Sequence, residues 1–413
     1  MAHRCVVIVG GGQGGYQTAA SLRTEGFDGR IVLIGEESHL PYQRPPLSKE
    51  FLLGKHHQLV LRPAAFYSTH RIEVLAGERV EAIDTAEGHV RLASGSRVPF
   101  DSLVLATGAR NRLLPVEGAE LEGVCYLRTL DEAGELRQRL EAARDVVVIG
   151  GGFIGLEVAA AARQLEKQVT VVEMLPRLMA RVVAPLVSEF FRERHSARGA
   201  DLRCGCGVAR IIPRDKGGTA AGGVELADVS RIPADLVIAG IGIVPNVELA
   251  RETGLAVGNG IAVDEHLRTG DPRIFAIGDC AEFPSHFTGT RVRLESVQNC
   301  VDQAICVARG IVGKRGAYSA VPWFWSDQHD IHLQIAGLAV GVAAEVDQSV
   351  LRGSVESEKF SVFYYSQGLL RAVDSINRPA EHVAARKLLA AGASISPAQA
   401  ADEGFDLKQA LQP

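Results

Sequence analysis

Val146-Val-Val-Ile-Gly150-Gly-Gly-Phe-Ile-Gly155-Leu-Glu157 decides the fold of this 413-residue chain. A short β-branched run leads into Gly150-x-Gly152-x-x-Gly155, and an alanine-rich segment, Val158 to Arg163, follows and is expected to be helical. Each glycine has a separate task in such a turn. The first allows the sharp bend, the second lets the backbone approach a pyrophosphate, and the third lets helix and strand pack closely. The helix N-terminus then offers free N–H groups and a partial positive charge to the phosphates. A glycine-rich turn alone is weak evidence. Here a strand precedes it, a helix follows, and Val169-Thr-Val-Val-Glu173 ends on an acid 23 residues beyond Gly150.

The same construction stands at the N-terminus. Val6-Val-Ile-Val-Gly10-Gly-Gly12-Gln-Gly14-Gly15 precedes a helix expected from Tyr16 to Glu25, and the strand Ile31 to Gly35 then ends on Glu36. Two fingerprints 140 residues apart imply two dinucleotides and electron transfer between them. Phe100-Asp-Ser-Leu-Val-Leu-Ala106-Thr107-Gly108 and Ala234-Asp-Leu-Val-Ile-Ala-Gly-Ile-Gly242 repeat one pattern of acid, apolar strand and small-residue turn. Each fingerprint unit thus closes on a matching strand, as an internal duplication would.

Composition fits a globular chain of two or three domains: 46% hydrophobic, 23% charged, with a net charge of −5. That balance gives no reason to expect nucleic acid or a membrane surface, and no apolar run approaches the roughly 20 residues of a spanning helix. The run Cys5 to Val9 belongs to a strand and is not a signal peptide, so a cytoplasmic location is expected. Seven cysteines without a Cys-x-x-Cys pair suit reduced thiols better than disulfides, and neither they nor a histidine cluster offer a metal site.

Between the fingerprints, Pro41-Tyr-Gln-Arg44-Pro-Pro-Leu-Ser-Lys49 is a proline-stiffened loop that can hold two cations in place. Strands are expected at Ile72 to Ala76, Arg79 to Asp84 and His89 to Leu92, and a helix from about Asp131 to Ala143. Pro185 to His195 reads as helix, and Lys216 to Gly223 as a glycine-rich flexible tip. Ile274-Phe-Ala-Ile-Gly278-Asp279 is a strand stopping at an acid. From Trp323 the pattern changes to antiparallel strands, such as Lys359 to Tyr365 and Leu369 to Asp374, closed by a helix from Ala380 to Leu389.

In chain order these motifs resemble a known family. Arg44-Pro-Pro-Leu-Ser-Lys49, Ala106-Thr-Gly108, Gly150-Gly-Gly-Phe-Ile-Gly-Leu-Glu157, Gly240-Ile-Gly, Gly278-Asp279 and Pro322-Trp-Phe-Trp-Ser-Asp-Gln328 carry the likeness. The chain resembles the FAD-containing, NADH-dependent ferredoxin reductases of bacterial oxygenase systems, the putidaredoxin reductase-like family, from Val6 to about Leu411. The resemblance implies a glutathione-reductase-like α/β fold: two Rossmann-type dinucleotide-binding domains plus a C-terminal α+β domain. The FAD domain would be split, 1–108 and 244–322, with an NAD domain at 109–243 and a C-terminal domain at 323–413.

By that resemblance FAD lies on Gly10, Gly12, Gly14 and Gly15 with Glu36 on its ribose. Arg44, Lys49, Val80, Ala106, Thr107, Gly108, Arg128, Gly278, Asp279 and Val297 supply further flavin contacts. NADH occupies Gly150, Gly152, Ile154, Gly155 and Gly242, with Glu173 on the adenosine ribose and Arg177 nearby. Lys49 and Glu157 form a pair by the flavin N5 and the nicotinamide amide, and Trp325 lies near the flavin edge. The implied activity is electron transfer from NADH through FAD to a [2Fe-2S] ferredoxin, bound transiently, which serves a haem-thiolate monooxygenase or a Rieske dioxygenase. A monomer or weak homodimer is expected, with no metal. Arg309, Lys314 and Arg315 are candidates for a ferredoxin-facing rim, although Ile305-Cys306 and Gln334 replace basic residues that relatives carry there.

Other outlets for the electrons are weighed against this. Disulfide reductases, NADH oxidases and coenzyme A-disulfide reductases need thiols beside the flavin, yet the chain has no cysteine between Cys5 and Cys125. Reduction of monodehydroascorbate, an apoptosis-inducing-factor-like activity, or an NADH-binding flavin redox sensor requires no such thiol.

Overall fold

Both β-branched runs that precede a glycine loop are central strands of five-stranded sheets. The computed structural model describes residues 4–55, 58–314, 316–339 and 346–411. Arg315 lies outside these described residues. The chain forms two units, one made of the residues to Gln43, Leu59–Arg110 and Val244–Phe324, the other of Arg44–Gln58, Asn111–Ile243 and Trp325 onward.

In the first unit the sheet order is Ile274–Ala276, Ser102–Leu105, Cys5–Val9, Arg30–Gly35, Ile72–Ala76, with all neighbours parallel. Every residue of Cys5–Val9 is buried, as a parallel strand covered on both faces must be. The helices Gln13–Thr24 and Val297–Ile311 pack against each other. An antiparallel meander, Val80–Asp84, His89–Leu92 and Arg97–Pro99, completes the unit's larger elements.

The second unit repeats the plan. Its sheet runs Ala200–Cys204, Gln168–Glu173, Asp145–Ile149, Leu236–Ala239, Val124–Cys125, again parallel throughout. A meander of Val208–Pro213, Ala221–Leu226 and Arg231–Pro233 accompanies it. Strand therefore begins at Ala221, inside the stretch expected to be a flexible tip, because Ala221, Gly223 and Val224 are buried in the meander. A further sheet of order Trp323–Gln328, Ile331–Gly337, Leu369–Ile376, Lys359–Ser366, Gln348–Ser354 carries helix Pro379–Ala390 on one side.

Both fingerprint helices begin earlier than their apolar patterns suggest, at Gln13 and Phe153. Gly14 and Gly15 of the first loop and Gly155 of the second already lie in the first helical turn. Steric limits explain why those positions are glycine. Gly10 and Gly150 have φ of +124° and +109°, a region side chains rarely adopt. A Cβ on Gly15 would stand 1.9 Å from the Gly10 carbonyl oxygen, and one on Gly155 2.1 Å from that of Gly150. The third glycine thus lets the helix close on the turn's own first residue.

Candidate functional site

Gly12 and Gly152 are the N-caps of the two fingerprint helices, and as glycines neither supplies a capping side chain. A Cβ at either glycine would meet no protein atom within 4 Å. The two loops therefore have the form that accepts a pyrophosphate: open approach, no capping side chain and the positive end of a twelve-residue helix. These are the positions expected for FAD and NADH, and the residues fit both groups.

In the first unit, Glu36 follows strand Arg30–Gly35 with a side chain 70% exposed, 3.7 Å from the Arg79 guanidinium. Thr107 donates to the Asn246 carbonyl at 2.7 Å, and Asn246 Nδ2 returns a bond to the Thr107 carbonyl at 2.9 Å. This exchange fixes the Ala106-Thr107-Gly108 turn. Gly278, with φ +73°, donates its N–H to the buried Gln303 at 2.7 Å, and Arg293 holds the Asp279 carbonyl at 3.0 Å. Val297 opens a helix capped by Ser296, and Val80 is a buried strand residue.

The second unit gathers the remaining candidates. Glu173 accepts from the N–H groups of Gly151 and Leu175, both at 2.7 Å, so the acid is locked onto the glycine loop itself. Ile154 is exposed on the first helical turn, and Gly242 has φ +102°. Arg177 is turned away: its guanidinium donates to the carbonyls of Val183 and Ala180 and to Ser188. Arg177, expected near Glu173, is thus held in an anchoring role. Arg44 donates to the Arg128 carbonyl at 2.5 Å, so the proline loop is tied to the start of helix Leu130–Ala142.

Glu157 is the chemical centre of this unit. It is 2% exposed, four residues into helix Phe153–Gln164, and three groups converge on it. Lys49 Nζ lies 2.9 Å away, Ser48 donates to Oε2 at 2.5 Å and Ser326 to Oε1 at 2.7 Å. Burial pushes the Glu157 carboxyl above the ordinary carboxylate range, while the Lys49 charge and the two hydroxyls pull it back. The turn Pro45–Ser48 orients both Ser48 and Lys49, whose ammonium also reaches the Pro45 carbonyl at 3.3 Å. Trp325 is half-buried beside Ser326 on strand Trp323–Gln328. Side chains alternate along that strand, so Ser326 and Gln328 share the inward face.

Sequence reasoning reached Lys49, Glu157 and Trp325 but missed the polar groups around them. Ser48, Ser326 and Gln328 lie inside the two most distinctive motifs, and their inward position on a short turn and a strand was the available signal. His195, which bonds Gln328 at 2.9 Å, had none beyond its place on an amphipathic helix.

None of the seven cysteines is in a disulfide, and burial raises the Cys5, Cys125, Cys204, Cys206, Cys280 and Cys306 thiols above their ordinary value, Cys125 to about 11. Thiols that stay protonated are poor nucleophiles, which disfavours the disulfide-reducing readings. In the first unit Arg309 and Lys314 each bond Glu25 at 2.9 Å. They are an ion-paired cluster around one acid rather than two free docking cations.

The pyridine nucleotide-disulphide oxidoreductase family model matches residues 4–304, and a reductase C-terminal model matches 323–411. Rhodocoxin reductase of Rhodococcus erythropolis is 50% identical over 408 residues, covering 98% of this chain and 94% of that protein. A solved ferredoxin reductase for the CYP199A2 system of Rhodopseudomonas palustris superposes with TM-score 0.95 at 49% identity, over 99% of this chain and 100% of its own. The reductase in the covalent putidaredoxin reductase–putidaredoxin complex gives TM-score 0.95 at 41% identity, over 100% and 99%. The chain belongs to the pyridine nucleotide-disulphide oxidoreductase family, among its putidaredoxin reductase-like ferredoxin reductases, flavoproteins that use FAD and a nicotinamide nucleotide.

Proposed function

We propose that the chain transfers electrons from NADH through FAD to a [2Fe-2S] ferredoxin serving an oxygenase, and that Lys49 and Glu157 are its flavin-reduction pair. The observation that carries this reading is the buried ion pair behind the second glycine loop, with the carboxylate sealed and the ammonium outermost. The Lys49 side chain keeps 12% of its exposure and that of Glu157 only 1%. Bound FAD would supply the chemistry, accepting an electron pair from NADH and releasing it in single-electron steps.

The protein's share is binding, orientation and charge. Gly10 to Gly15 and Glu36 hold the adenosine end of FAD in this reading, with Arg44, Val80, Arg128, Asp279 and Val297 along the rest. Gly150 to Gly155 and Glu173 hold NADH. The Lys49 charge stabilises negative charge developing beside it, and the low-dielectric surroundings of Glu157 strengthen that interaction. Glu157 keeps the ammonium in place and would face the nicotinamide amide once NADH is bound. Trp325 lines the exit side. The split domain plan, 1–108 with 244–322, 109–243 and 323–413, goes with this assignment. So do a transient ferredoxin complex, a monomer or weak homodimer, and a cytoplasmic setting. Among the described residues no helix is long and apolar enough to cross a membrane.

The deciding assay is NADH-driven cytochrome c reduction with and without a [2Fe-2S] ferredoxin, before and after alkylation of all accessible thiols. Strong ferredoxin dependence, weakened by salt and indifferent to alkylation, is expected. Ferredoxin-independent turnover with monodehydroascorbate, or disulfide reduction abolished by alkylation, would overturn the proposal.

A further inference from the structure

The polar side chains behind Glu157 continue inward as a single file. Ser326 donates to Glu157 Oε1 at 2.7 Å, Gln328 Nε2 donates to Ser326 Oγ at 3.2 Å, and Gln328 Oε1 meets His195 Nε2 at 2.9 Å. Ser326, Gln328 and His195 are each 0% exposed. The direction of this file follows from one end that has no choice. The second N–H of the Gln328 amide faces the Met179 sulfur at 3.7 Å, and a thioether can only accept. That contact sets which side of the amide is nitrogen. With Nε2 toward Met179 and Ser326, Oε1 faces His195, so His195 must carry its proton on Nε2. Because Gln328 donates to Ser326, the single Ser326 proton has only Glu157 to go to.

The reverse direction is penalised twice. A flipped amide would set its oxygen against the Met179 sulfur, acceptor against acceptor. It would also move the His195 proton to Nδ1, a buried atom that meets no partner among the described residues in either tautomer. Reversal further requires a proton on Glu157, since Ser326 would then donate to Gln328 instead. Met179 is itself held to the second glycine loop, its N–H bonding the Gly151 carbonyl at 2.9 Å.

We propose that Met179, Gln328 and His195 are positioning residues for flavin reduction: they impose a one-way hydrogen-bond chain that commits the Ser326 proton to Glu157 and keeps that carboxylate ionised beside Lys49. The proposal rests on the reading of Lys49 and Glu157 given above. The charged and titratable groups in play are few. Lys49 faces Glu157; Arg198 and His329 face His195, with the two rings 4.9 Å apart; Asp330 and Arg163 lie beyond His329. Burial and the neighbouring Arg198 keep His195 and His329 below the ordinary histidine range, His329 at about 3, so both are neutral rings near neutral pH and His195 has one proton to place.

Met179→Leu, Gln328→Leu and His195→Leu break the chain at different links, and His195→Gln restores an N–H donor at the Nε2 position. Flavin reduction by NADH, followed by stopped flow without an acceptor, gives the first readout. Each leucine variant is expected to shift the acid limb that Glu157 sets upward by about one pH unit, a tenfold gain in proton affinity, as loss of one oriented hydrogen bond to a charge implies. His195→Gln returns the limb to the wild-type position. The second readout needs no turnover: the infrared carbonyl band of protonated Glu157, identified by its loss in Glu157→Gln, shifts in its titration by the same amount in protein without nucleotide. The third is nitrogen-15 NMR of histidine-labelled wild-type protein, which is expected to show His195 as the Nε2–H tautomer even if a variant fails to fold. A wild-type acid limb in Glu157→Gln would sink the underlying reading of Glu157. A limb lost in Glu157→Gln but unmoved in the leucine variants, an unmoved infrared titration, or an Nδ1–H His195 would overturn this proposal alone.

Discussion

Replacing Lys49 by methionine keeps most of the aliphatic stem and deletes the charge that faces Glu157. At 2.9 Å the attraction between two unit charges is about 6 kcal/mol for an effective dielectric of about 20. Removing one partner of a buried pair typically costs about 3–5 kcal/mol, because the other charge is left unpaired. Glu157 has an escape, however, since it can take a proton. Its folded-state pKa is already raised by burial above the 4.5 of a free glutamate, against the pull of Lys49, Ser48 and Ser326. A raised folded pKa means a stability contribution fully present below about 4.5 and lost as pH rises through the folded value. Deleting Lys49 removes the largest opposing influence and carries the folded pKa further up. The cost of Lys49→Met is therefore smallest at the acid end and grows by up to about 1.4 kcal/mol per pH unit across the interval between the two folded pKa values. Urea unfolding at pH 5.5, 7 and 8.5 measures it, with Glu157→Gln as the reference background. In that background the Lys49→Met cost should be small and flat with pH. A cost that is the same at every pH, or strict additivity of the two substitutions, would show that the pair is not coupled and would refute the reasoning.

Two other acids, Glu173 and Asp374, carry further expectations. Glu173 is fixed on the second glycine loop and Arg177 is anchored elsewhere, so NADH should be preferred over NADPH by at least about 2 kcal/mol, roughly thirtyfold in kcat/KM; Glu173→Ala should erase most of that ratio, and equal efficiency in the wild type would remove the role. Full burial pushes Asp374 up to about 7 although Tyr364 donates to it at 2.7 Å, so its contribution to stability is present below about pH 4 and lost as pH rises through 7. The fall should be about 4 kcal/mol over that window, and Asp374→Asn should flatten the stability profile; an unchanged slope in the variant would contradict it.

The parts of this molecule that the sequence disclosed are those in which cause and effect lie close together along the chain. The glycine loops are legible because the carbonyl that would collide with a side chain at Gly15 or Gly155 belongs to a residue five positions earlier. The strand-ending acids are legible because they follow within one βαβ unit. Helix starts were misplaced by a few residues for a related reason: apolar periodicity marks the buried face, whereas each first turn includes loop glycines, Gly14 and Gly15 in one and Gly155 in the other, that carry no such mark. The duplicated plan, with its two meanders, needed only the repetition of those local patterns.

The site around Glu157 is different in kind, since its bonds span 109 positions to Ser48, 169 to Ser326 and, one step behind, 133 between His195 and Gln328. No local rule joins such residues, and family likeness reached only the two that carry charge. One physical inference was nevertheless available. In Trp323-Phe-Trp-Ser-Asp-Gln328 the period of two puts a serine and a glutamine on one face of a strand whose neighbours along the chain are aromatic. If that face is inward, each polar group must find partners, and an amide brings two donors and an acceptor to satisfy. A buried Ser-x-Gln therefore demands a polar file leading away from it, even when its other members are unknown. The structure supplies them as Glu157 at one end and His195 and Met179 at the other. The demand was written in the strand; the identity of what answers it was set by topology.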